Sequence, residues 1–129
     1  MKLLRRQTDI MCMSRVGYIR DQKYEIYVNT NDGGNIPHFH LRDTKDWNRF
    51  HTCIKIESAE YFNHGEKTDT LNHKLKSELQ KFMESDVTIS KYKGKFYNNW
   101  ELVCFLWDMN NSDMMIEDNA IQPDYRRLS

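Results

Sequence analysis

The chain has 129 residues, with 19 Lys and Arg against 19 Asp and Glu and 39% hydrophobic content. That length supports one domain over 1–129, since two would each bury too little surface to stand alone. A formal charge of zero removes the leading prior for a nucleic-acid binder, and the best apolar stretch, 102–106, is far too short to cross a bilayer.

Residues 1–15 read as an N-terminal extension. Lys2-Leu3-Leu4 is followed at once by Arg5-Arg6-Gln7-Thr8-Asp9, which breaks the apolar segment a signal peptide needs. Cys12, Cys53 and Cys104 are odd in number and far apart, as expected of free thiols in a reducing compartment. The expected location is cytoplasmic.

Antiparallel strands are expected over 16–57. Val16 to Ile19 reads as a first strand, joined through Arg20-Asp21-Gln22-Lys23 to a second over 24–29. There Tyr24, Ile26 and Val28 share one face and Glu25, Tyr27 and Asn29 the other. The run Asn31-Asp32-Gly33-Gly34-Asn35 is a turn signal, because Gly supplies positive φ and Asn and Asp tolerate it. Pro37 to Arg42 alternates again, with Phe39 and Leu41 opposite His38, His40 and Arg42. After a polar loop over 43–49, with Trp47 as an apolar tip, Phe50, Thr52, Ile54 and Ile56 form an inward row. His51, Cys53, Lys55 and Glu57 face the other way.

The period then changes. Leu71, Leu75, Leu79, Phe82 and Met83 fall at helical spacing and predict an amphipathic helix over 70–84, capped by Thr68, Asp69 or Thr70. Residues 87–97 read as a short hairpin or irregular excursion around Gly94. Asn98-x-x-Glu101 has capping-box spacing and opens a second helix over 98–111, apolar nearly all round and therefore expected to be deeply buried. His73 is expected in solvent, and the polar tail over 113–129 loosely on the surface. Strands first and helices after predict an α+β fold: a small antiparallel sheet of about three to five strands with two helices packed on one face.

The sharpest chemical feature is His38-Phe39-His40. Residues two apart on a strand share a face, so both imidazoles project together while Phe39 points to the core. An antiparallel return of the next strand would bring His51 and Cys53 to the same side, with Tyr27 and Glu25 joining from the preceding one. Imidazole and thiolate are the donors zinc prefers, which makes His38, His40, His51 and Cys53 candidate metal ligands. No compact spacing of the CxxC or HExxH kind fixes such a site, so no firm cofactor is expected and zinc or another divalent metal is the option left open. Alternation of polar and apolar residues also describes any half-exposed strand. His64, in Phe62-Asn63-His64-Gly65, reads as a turn. Lys91, Tyr92, Lys93 and Lys95 interleave cations with rings, a nucleic-acid candidate that equally describes an exposed loop with lysines guarding a strand edge.

Tyr27-Val28-Asn29, an Asn/Asp/Gly turn and Pro37-His38-Phe39-His40-Leu41, followed by a strand, a helix and a late Trp, resemble the small bacterial domain of unknown function 4160 family over about residues 24–107. The chain departs from the family pattern at Ile36, where the first proline of the motif stands, and in the loop over 43–49, which looks inserted. The resemblance implies a divergent relative of phage or mobile-element type. It also implies a compact α+β domain encoded beside a partner in toxin–antitoxin-like pairs, with Pro37, His38 and His40 as the matched motif positions and no reaction attached.

Two functions follow as expectations. One is a cytoplasmic interaction or regulatory module of a toxin–antitoxin or phage–host conflict system. It would bind a protein partner, with nucleic acid as a second option and no membrane, through Pro37, His38, His40, Arg42, His51 and Tyr27. The other is a hydrolase or nuclease in which His38 and His40 act as acid and base or as metal ligands, with Lys55 or Lys93 holding phosphate. Oligomeric state is not legible in the sequence.

Overall fold

A computed structural model describes residues 13–30, 36–46, 48–63 and 68–129. Cys12, the turn at 31–35, Trp47, His64, Gly65 and residues 1–12 of the expected extension lie outside the described residues.

Four strands, β1 (Met13–Ile19), β2 (Tyr24–Asn29), β3 (His38–Asp43) and β4 (His51–Lys55), form one antiparallel sheet in the order β1-β2-β3-β4. Two helices follow, α1 (His73–Glu84) and α2 (Asn99–Asn110), and a 3-10 turn spans Tyr125–Arg127. This is the α+β architecture the sequence predicts. The first strand begins earlier than expected, so residues 13–15 of the supposed extension belong to the sheet. Residues 87–97 hold no strand, only turns with Gly94 at φ 78°, which removes the edge-guarding role for Lys91, Lys93 and Lys95.

Register follows from the apolar alternation. Ile26, Val28, Phe39, Leu41 and Ile54 are all fully buried in one cluster with Leu75, Leu79 and Met83 of α1 and Leu102, Val103 and Leu106 of α2. Each such side chain stabilises the fold by about 1.5–3 kcal/mol. Both helices lie on this face. Gly17, opposite Ile26, has no room for a Cβ, which would meet the Phe82 ring of α1 at 2.8 Å. Ser14, opposite Val28, takes a 3.3 Å hydrogen bond from Asn110 of α2.

The helix ends are set by side-chain caps. Asn98 Oδ1 accepts from the Glu101 amide at 3.0 Å, as the capping box predicts. The first helix starts later than expected, capped by Asn72, which accepts from the Leu75 amide at 2.8 Å. Of the expected caps, Asp69 is committed elsewhere, to the backbone of His51. Helix α2 is buried through Trp100, Leu102, Val103, Leu106 and Trp107, yet Phe105 and Met109 face solvent, so one stripe of it is open.

The tail corrects the expectation of a loose surface segment. Tyr125 and Leu128 lie three apart across a 3-10 turn, which places both on one side, and both are buried. The Tyr125 ring meets Phe39 edge-on at 5.6 Å, and its hydroxyl donates to the Ile56 carbonyl at 2.7 Å, a group that also accepts from Trp100 Nε1 at 3.0 Å. Burial pushes the Tyr125 phenol well above its ordinary pKa.

Candidate metal centre

The opposite face of the sheet is built by cross-strand pairing. One row runs Tyr27, His40, Cys53 and a second Glu25, Arg42, His51, each residue directly opposite the next across antiparallel neighbours. Such partners have Cβ atoms roughly 4.5–5.5 Å apart, so the register alone gathers these polar groups. His38 stands opposite Lys55 on the same side.

This face is not half-exposed. His38 is 0% exposed, His40 4%, Cys53 3%, Tyr27 4% and Glu25 2%. The polar groups cover one another. The Glu25 carboxylate is held by Arg15 from β1 and by Arg42 from β3, whose Nη2 lies 2.9 Å away. The Arg42 guanidinium sits 4.8 Å over the Tyr27 ring, and Tyr27 stacks on His40 at 4.8 Å with planes 12° apart. Phe62 and Trp107 close on His38 at 4.7 and 5.2 Å between ring centroids.

Within this lining the donors converge. One ligand atom each of His38, His40 and Cys53 lies within 4.8 Å of the other two. Cys53 Sγ is 3.2 Å from His40 Nδ1, and His51 Nε2 is 3.0 Å from the same nitrogen. Tyr27 Oη lies 3.4 Å from His51 Nε2, and Asn29 Nδ2 3.3 Å from His40 Nε2. His38 Nδ1 donates to the Ile36 carbonyl at 2.8 Å, which fixes its tautomer. Two imidazoles and a thiol form a soft donor set of the kind that selects zinc over magnesium or calcium. The Cys104 thiol is unsuited to this chemistry: burial first, then the charges of Asp108, Glu57 and Glu101, pushes its pKa up to about 12.

The sequence-expected site residues divide. His38, His40, His51, Cys53 and Tyr27 come together, and Pro37 is buried beside them. Arg42 is engaged by Glu25, and Lys55 by the Glu60 carboxylate at 3.2 Å. Lys91, Lys93 and Lys95 are exposed in the turns before α2, while Tyr92 packs against Phe96 and Phe105. Sequence reasoning missed Asn29, Phe62 and Asp69 as supports; Asp69 accepts from the His51 amide at 2.9 Å and donates its own amide to the His51 carbonyl at 3.1 Å. Asn29 was legible as a face-mate of Tyr27, whereas nothing local marks the other two.

No family model, curated protein or solved structure matches the chain. Among the described residues, no helix is long and apolar enough to cross a membrane.

Proposed function

We propose that the protein is a small metal-binding interaction module, with a zinc-class ion held by His38, His40 and Cys53. The convergence of these three donors on a buried sheet face, with the far nitrogen of His38 already tied to a backbone carbonyl, carries this reading. Ligating histidines ordinarily commit their second nitrogen in this way. A thiolate ligand suits the reducing cytoplasm expected from the cysteine pattern.

In this reading the ion stabilises β3 and β4, and the sheet then presents its outer surfaces to a macromolecular partner. The resemblance to the domain of unknown function 4160 family supports a partner of the toxin–antitoxin or phage–host kind. The imidazoles are not themselves the contact, because neither has surface to offer. The same burial weighs against the hydrolase or nuclease reading, in which a substrate must reach His38 and His40.

Tag-free protein, dialysed against chelator and titrated with zinc, tests the proposal. One equivalent bound by the parent and none by His40→Ala, with the parent's melting temperature raised by zinc, is the expected result. Absence of zinc uptake by folded parent protein overturns it.

A further inference from the structure

The three-residue centre leaves one tetrahedral position to be filled, and what fills it decides between a reactive and a structural ion. An open position occupied by water is the mark of catalytic zinc, whereas four protein ligands mark a structural site. We infer that His51 supplies the fourth donor and closes the coordination; this inference rests on the metal-binding reading above.

Two donors crowd His40 Nδ1. A ring nitrogen has a single proton or a single lone pair, yet Cys53 Sγ at 3.2 Å and His51 Nε2 at 3.0 Å both press against this one. A cation ligated by this nitrogen would draw both neighbours as further ligands. Ideal tetrahedral zinc, with bonds of about 2.0–2.1 Å to nitrogen and 2.3 Å to sulfur, separates its ligand atoms by about 3.3–3.6 Å. The two spacings at His40 Nδ1 are a few tenths of an ångström shorter. His51 stands outside the set of donors that lie mutually within 4.8 Å, so it closes the site by swinging its half-buried ring inward.

The supports for such a site are also present. With Nδ1 on the ion, the proton of His40 moves to Nε2, where the Asn29 side chain stands at 3.3 Å. Turning that amide over presents its oxygen as acceptor, so Asn29 fixes the ligating tautomer. Tyr27 stacks on His40 and holds the plane of that ring. Asp69 holds the His51 backbone by hydrogen bonds in both directions. His51 is thus braced through its backbone, while its side chain remains only half-buried.

Cobalt(II) substituted for zinc reports ligand number and type directly. The parent is expected to show the intense visible bands of a four-coordinate ion with a thiolate charge-transfer band. His51→Ala is expected to keep the thiolate band, lose visible intensity as water enters, and bind zinc more weakly by more than about tenfold; added imidazole then restores both. His51→Gln, which preserves bulk, guards against a folding defect and is expected to behave like the alanine variant. If both variants keep the parental spectrum and affinity while His40→Ala loses the ion, His51 is not a ligand and the three-residue centre stands. If the parent takes up neither cobalt nor zinc, the metal-binding reading itself falls.

Discussion

The two faces of the sheet are buried to nearly the same degree at their centres and held by opposite chemistry. Phe39, Leu41 and Ile54 pack against helices and the Tyr125 turn, where close packing of apolar groups is sufficient. Their immediate neighbours His38, His40 and Cys53 are equally hidden, but on a face where each polar group is covered by another polar or aromatic group. Alternation along a strand therefore reports which side a residue takes and says nothing about whether that side is wet. A buried polar face survives only when its members satisfy one another, because an unpaired polar group out of water costs several kcal/mol.

Four experiments break or sharpen the contrast between the faces. The largest effect belongs to the apolar side: Phe39→Ala should destabilise the protein by about 3–5 kcal/mol in urea melts, by the same amount with or without chelator. On the polar side, zinc at a hundredfold excess over its dissociation constant should add about 2.7 kcal/mol to the parent. It should add nothing to Cys53→Ala, as read by paired thermal melts. Next comes Glu25→Gln, which leaves Arg15 and Arg42 without their counter-charge. Since both guanidiniums keep contact with water, the expected loss is about 2 kcal/mol, below that of breaking a fully buried pair.

The smallest effect is electrostatic and lies at the end of β3. The Asp43 carboxylate accepts from the amides of Asp46 and Lys45, with Arg49 and Lys23 nearby, and its pKa is lowered. A lowered folded-state pKa means that this contribution is fully present above the ordinary aspartate range and is lost as pH falls through the folded value. Asp43→Asn should therefore be slightly less stable than the parent at neutral pH and converge with it at low pH, which flattens the acid limb of the stability–pH curve; an unaltered acid limb would refute the assignment.

Much of the fold was legible because its signals are local. The alternation of β2 and β3, the helical spacing of Leu75, Leu79 and Met83, and the Asn98 cap each lie within a few residues of sequence. The shared face of His38 and His40 was equally local. The joining of His51 and Cys53 to them depended on register, which the row Phe50, Thr52, Ile54, Ile56 constrains once the strand is taken as antiparallel. What stayed hidden was long-range. Glu25 engaging Arg15 and Arg42, Asp69 leaving helix capping for His51, and Tyr125 crossing to Ile56 all join distant segments. No periodicity encodes such pairings, and the tail's few apolar residues are too sparse to reveal that they belong to the core.

The brace between Asp69 and His51 has a mechanical consequence. Asp69 stands three residues before the cap of α1, so the strand that carries His51 and the threshold of that helix share two hydrogen bonds. Any displacement of His51 tugs on the helix entrance, and a fluorophore at exposed Lys74, two residues past the cap, sits where that tug would be felt.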